Sequence, residues 1–171
     1  MNQEDTIKEM KHFCMTFPNF SQLLGYEKMI KQIIEHDEII KLVHDLDWNL
    51  SKQIQESAVS KLVNQINSLD TYLLIHPFNK CTWHNAVRVI ELLGYPKNKN
   101  ALPSLIYLLQ DLNWPGNEKG MNILSKIDRN ELIPLLEIAI KDSFNANDLT
   151  WLAGIKHFLD LFPHQKKCRS S

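Results

Sequence analysis

IIKLVHDLDW at residues 39–48 and LIYLLQDLNW at residues 105–114 are the two stretches whose reading decides the fold. In each, apolar residues at helical spacing run into an acidic turn that ends in tryptophan. Asp45 aligns with Asp111, Leu46 with Leu112, Asp47 with Asn113 and Trp48 with Trp114, an offset of 66 residues. Downstream the register drifts but persists. Ser60-Lys61-Leu62 answers Ser125-Lys126-Ile127 at 65, and the WHNAVRVIELL that starts at Trp83 answers the WLAGIKHFLDL from Trp151 at 68. A helix-turn-helix in a solenoid is typically about 33–47 residues, so this spacing holds two hairpins. The expected organisation is one domain over residues 1–171. One or two N-terminal helices fill 1–36, a first four-helix unit 37–96, a second 97–163, and a basic tail 164–171 closes the chain.

Working outward, apolar residues keep helical spacing nearly everywhere. Ile7, Met10, Phe13, Cys14 and Phe17 fit one face, and Leu23, Tyr26, Met29, Ile30, Ile33 and Ile34 a second. Ala58 to Ile66, Ala86 to Leu93, Leu102 to Leu112, Leu132 to Ile140 and Trp151 to Phe162 repeat the pattern. No stretch alternates strictly over a strand's length, and no Asn-Gly or Asp-Gly offers a hairpin turn. The chain reads as all-α, with each hairpin burying its apolar stripe against the next in a short right-handed stack. Gly94-Tyr95-Pro96 marks a helix end, and Asn100 is placed to cap the next helix with Pro103 in its first turn. Asp128 with Glu131 resembles a capping box, with Pro134 three residues further on.

Composition bounds the function. At 171 residues, 44% hydrophobic, 23% charged and a net charge of −1, the chain has the profile of a folded globular domain. Affinity for duplex nucleic acid rests heavily on Lys and Arg at phosphates; here acids match bases, which argues against a nucleic-acid partner. Cys14, Cys81 and Cys168 form no CxxC pair, Asn2-Gln3-Glu4-Asp5 is no signal peptide, and no apolar run approaches the roughly 20 residues that span a bilayer. The expected setting is reducing cytoplasm.

The stretch Ala101 to Ile127, with Leu102-Pro103 in its first helix and an Asp at its turn, resembles a HEAT-type repeat. Gln110-Asp111, Asn113-Trp114-Pro115, Leu92-Gly94-Tyr95-Pro96 and Asp148 with Trp151 resemble more narrowly a bacterial group of small HEAT-like domains, domain-of-unknown-function family 5071, over roughly Asn85 to Pro163. The resemblance implies stacked helical hairpins and no particular activity. Asn49 stands where the first copy would carry the proline.

The sharpest candidate site is the pair of turns: Asp45, Asp47 and Trp48 in the first, Asp111, Asn113 and Trp114 in the second. Two readings stand side by side. Asp47 and Asn113 cap the following helices while the tryptophans plug the joints, or the turns form an acidic-aromatic edge for a basic partner. Cys81 and His84 make a C-x-x-H half-site and His157 and His164 lie seven apart, but no four-ligand set accompanies them, so no metal is expected. His44 beside Asp45 and Asp47 is not read as a base with carboxylates, because near neighbours on a helix do not face one another. Cys14 reads as core filler. No phosphate-cradling glycine loop or nucleophile elbow appears, so neither cofactor nor catalysis is expected. The expectation is a non-catalytic protein–protein interaction module, of the kind a bacterial immunity or adaptor protein would be. The alternative is a HEAT-like nucleic-acid-binding or glycosylase-type enzyme.

Overall fold

Helix-forming stretches end where the sequence places its proline, glycine and capping residues, and the computed structural model, which describes residues 3–35, 37–77 and 79–163, is helical throughout with no strand among them. The helices are α1 (Gln3–Thr16), α2 (Pro18–Leu23), α3 (Tyr26–Ile34), α4 (Glu38–His44), α5 (Lys52–Gln65), α6 (Trp83–Leu93), α7 (Leu102–Tyr107), α8 (Asn117–Ser125), α9 (Arg129–Asn145) and α10 (Leu149–Leu161). Four 3-10 segments join them: Ser68–Leu74, Lys80–Thr82, Lys99–Ala101 and Leu108–Gln110. The buried apolar side chains form one cluster, and the faces expected from periodicity supply it. Met10, Leu62, Ile90, Leu105, Leu136 and Phe158 are all inside.

Four expectations need correction. The N-terminal region holds three helices rather than one or two, because Pro18 ends the continuous ladder of α1 and opens α2, and Gly25 at φ 65° separates α2 from α3. Residues 37–96 hold three α-helices and two 3-10 segments where four helices were expected, whereas 97–163 holds α7 to α10. Asn100 does not cap α7: it lies in a 3-10 turn and its Nδ2 donates to the Ser68 carbonyl at 3.1 Å. Two further end signals mark helix ends, but the capping box does not form, because Glu131 pairs with Lys99 instead of reaching back to Asp128. Gly94 closes α6, and the Asp128 carboxylate accepts from the Asn130 N–H at 2.8 Å, starting α9 with Pro134 inside it.

One long-range tie joins the ends of the chain. Asp142 of α9, 1% exposed, accepts from the backbone N–H groups of Asn19 and Phe20 and from Asn19 Nδ2, at 2.8–2.9 Å. No side chain of α2's own N-cap residue does this. The donors of an isolated helix start need partners, and a carboxylate there also meets the positive end of the helix dipole. Close packing fixes α10 in the same way. A Cβ on Gly154 would lie 1.8 Å from the Leu109 carbonyl oxygen, and Trp151 Nε1 donates to Ile106 O at 3.1 Å.

Helices α5, α6 and α8 lie side by side and run in one direction. Asn85 Nδ2 meets Gln55 Oε1 at 2.9 Å near both N-termini, Arg88 pairs with Glu56 one turn on, and Lys97 reaches the Val63 carbonyl past the C-terminus of α6. On the other flank Val87 packs on Gly116, at the start of α8, and Lys119 pairs with Glu91. The segments that lead into these three helices therefore share one edge.

Candidate functional site

That edge contains both candidate turns, brought to either side of Asn79–Thr82. In the first, the Trp48 N–H donates to the Cys81 carbonyl at 3.3 Å and Asp47 Oδ2 accepts from Asn79 Nδ2. In the second, the Trp114 ring lies beneath Lys80, with Nζ 4.3 Å from its centroid. The sequence pairs the turns correctly as neighbours in kind, and the fold makes them neighbours in space.

Neither Asp47 nor Asn113 caps a helix. Ser51 caps α5, its Oγ accepting from the Ile54 N–H at 3.3 Å, and α8 starts from Gly116 with no side-chain cap. Asp47 Oδ1 instead accepts from the backbone N–H and the side-chain amide of Asn49, at 2.8 and 2.9 Å. Asp111 Oδ1 does the same with Asn113, at 2.9 and 3.1 Å. Each turn is an Asp-x-Asn clasp, an aspartate closing a loop over the residue two on. The equivalent residues are thus Asp47 with Asp111 and Asn49 with Asn113, two positions away from the alignment that matches the tryptophans.

This slip separates the two rings. Trp48 is the middle residue of its clasp and stands exposed, with Leu50 and Ile54 also exposed and Asp45 beside it at the end of α4. Trp114 follows its clasp and packs on the core, its centroid 5.2 Å from Trp83 and 5.3 Å from Tyr107. The expectation that both tryptophans plug joints holds for Trp114 and fails for Trp48. Trp114 is one member of a run of touching rings that sequence reading did not assemble. From Tyr107 it continues through Phe13 and Phe17 to Trp151 and Phe20, each contact between 4.7 and 5.6 Å.

Two buried amides hold the turn carbonyls. Gln55 Nε2 donates to Trp48 O and Leu50 O, at 3.3 and 2.8 Å, and Asn117 Nδ2 to Leu108 O and Asp111 O, at 2.6 and 3.3 Å. Asn85 Nδ2 adds a bond to Leu46 O at 2.8 Å. These residues carry no sequence signal beyond being polar on an otherwise apolar face.

Behind the first turn a cavity of about 500 Å³ gathers His44, Asp47, Asn79 and Cys81. His44 and Asp47 do share a wall, because α4 ends at His44 and the chain bends before Asp47. Burial would raise the Asp47 carboxyl, but the N–H groups of Asn49 and Asn79 outweigh it and hold it below its ordinary value. Burial pulls His44 down, against the pull of Asp45 and Asp47. His76, whose ring lies 5.4 Å from His44, is fully buried and is taken down to about 3, chiefly by desolvation with His44 adding to it. Asp47 is committed to clasping its own loop, which leaves it poorly placed to orient a catalytic imidazole.

His84 and His157 are both exposed on separate helices, and His164 and Cys168 lie outside the described residues. Among the described residues no three His, Cys, Asp or Glu side chains are grouped to hold a metal ion. Cys14 packs half-buried against the core. Among the described residues no helix is long and apolar enough to cross a membrane. No protein-family model matches the chain, and neither a curated protein nor a solved structure matches it.

Proposed function

We propose that the protein is a non-catalytic protein-interaction module that docks a basic partner on the edge around its first turn. The observation that carries this is the exposure of Trp48 together with Leu50 and Ile54, beside the exposed Asp45. Single exposed apolar residues are ordinary on a protein surface, but three large ones within seven residues of sequence, on a turn and the first turn of the helix it leads into, with Asp45 close by in sequence, match the make-up of an interface core with a polar rim. A tryptophan at such a place supplies the large rigid contact typical of a hot spot. The Asp47 clasp and the Gln55 bonds hold the turn that presents it, so little ordering is required on docking.

The finer architecture belongs to the same proposal. A HEAT-like stack is supported by α5, α6 and α8 lying as parallel neighbours, each entered from one edge, and by the resemblance of Ala101 to Ile127 to such a repeat. An adaptor- or immunity-type role is part of the proposal and is compatible with the chain's size and near-balanced charge. A nucleic-acid reading has less behind it, since the exposed turn carries acids rather than a basic patch.

The test is comparative capture. Native protein and Trp48→Ala, both shown by circular dichroism to be folded, are immobilised and challenged with lysate of the source cells. A stoichiometric basic protein retained by the first and released by the second supports the proposal. A partner retained equally by both would place the docking surface elsewhere.

A further inference from the structure

The parallel layer carries, at each end, charge that the chain itself does not neutralise, and the two signs are opposite. Because α5, α6 and α8 run in one direction, their starts share the edge that holds Trp48 and their C-terminal ends share the far edge. On the first edge the cations are taken. Lys52 and Arg88 both pair with Glu56, and Lys80 lies over the Trp114 ring. Asp45, Asp47, Asp111 and Glu118 pair with no lysine or arginine among the described residues.

On the far edge it is the carboxylates that are taken. Glu131 pairs with Lys99, and Asp128 accepts from the Asn130 N–H at the start of α9. Lys61, Lys97 and Lys126 are exposed there and pair with no carboxylate among the described residues; Lys97 Nζ reaches only the Val63 carbonyl, at 3.4 Å. Large apolar side chains accompany these lysines, as they accompany the acids of the first edge. Leu92 in the last turn of α6, Tyr95 just past it and Leu69 just past α5 are all exposed. The bond from Asn100 Nδ2 to the Ser68 carbonyl, at 3.1 Å, ties the segments that follow the two helices to each other. The 11 residues of α6 span about 16 Å between the two edges, so a chain cannot fold one onto the other. A second copy can supply what the first lacks.

We propose that the edge around Trp48 docks on the far edge of a second copy of this chain, head to tail. The unpaired acids face Lys61, Lys97 and Lys126, and Trp48 packs on Leu92 and Tyr95. Unlike surfaces meet in such a contact, so every copy keeps one edge of each kind and association can extend beyond two chains. The inference rests on the docking reading of the first edge and names its occupant.

Sedimentation velocity of the full chain in reducing buffer tests it. From about 10 μM to about 1 mM the weight-average mass should climb above that of one chain. Salt at about 0.5 M, where the screening length is only a few ångströms, should lower it again. Trp48→Ala and Leu92→Glu, each shown by circular dichroism to be folded, should each weaken self-association about tenfold or more. Mixed in equal amounts, the two variants should form a dimer and grow no further, since each keeps the edge that the other has lost. A native chain that stays monomeric throughout, association undiminished by either substitution, or a mixture of the variants that stays monomeric would each overturn the inference. A chain that stays monomeric yet captures an unrelated basic protein through Trp48 would overturn it alone and leave the docking reading standing.

Discussion

The two turns share one clasp and differ in what it carries. Asp47 folds over Asn49 as Asp111 folds over Asn113, with the same pair of bonds. The residue between the clasping pair points outward in both: Trp48 is 46% exposed and Leu112 40%. Two residues further on the turns part, for Leu50 is exposed where Trp114 lies between Trp83, Tyr107 and Lys80. Local chemistry sets the shape of each loop, and the place of the large ring relative to the clasp decides whether the ring becomes core or surface. One copy of the motif sends its tryptophan onto the core while the other leaves its tryptophan exposed.

The comparison breaks most visibly at Trp114. Trp114→Ala should cost about 3 kcal/mol in equilibrium unfolding, at the lower end of the range for buried tryptophans because the ring is only partly enclosed. A cost below about 1 kcal/mol would mean that this ring, too, belongs to the surface.

Acid should act from behind the first turn. His76 has a folded value of about 3 against an ordinary 6.5, so unfolding takes up a proton at any pH between them. Its contribution is therefore complete above about 6.5 and is lost as the pH falls toward 3. From pH 7 to pH 5 the chain should lose about 2 kcal/mol through this group, with His44 adding in the same direction. His76→Gln should flatten the dependence measured by urea unfolding at the two pH values; an unchanged slope would remove His76 from the account.

A smaller effect probes the amides that support the turns. Asn117→Ala leaves the Leu108 and Asp111 carbonyls without their side-chain donor and should cost about 1.5 kcal/mol. The urea midpoint of that variant checks it, and an unshifted midpoint would show that water replaces the amide freely. Trp48→Ala should fall at the bottom of the scale, under about 0.5 kcal/mol by the same assay, as for a surface substitution.

How far the sequence reaches is clear from these same residues. The helical class was legible because faces such as Leu102, Leu105, Ile106 and Leu109 repeat at the helical period, and Gly94 and Asp128 mark ends by local chemistry. The turns were legible as a pair but two residues out of register. Matching tryptophan to tryptophan followed the most conspicuous side chain, whereas the conformation is set by Asp-x-Asn, visible at residues 47–49 and 111–113 once hydrogen-bonding capacity rather than identity is aligned. Asp142 could not be foreseen, since its partners stand more than 120 residues earlier in the chain. The run of touching rings was hidden for the same reason: Phe13, Tyr26 and Tyr107 meet only after α1, α3 and α7 have packed.

The exposure of Trp48 is best measured by fluorine NMR of protein labelled with 5-fluorotryptophan, whose four resonances can be assigned by single replacements such as Trp48→Phe. A soluble paramagnetic agent should broaden the Trp48 line strongly and leave those of Trp83 and Trp151 sharp, with Trp114 between. A Trp48 line as well protected as those of the two buried rings would contradict the account.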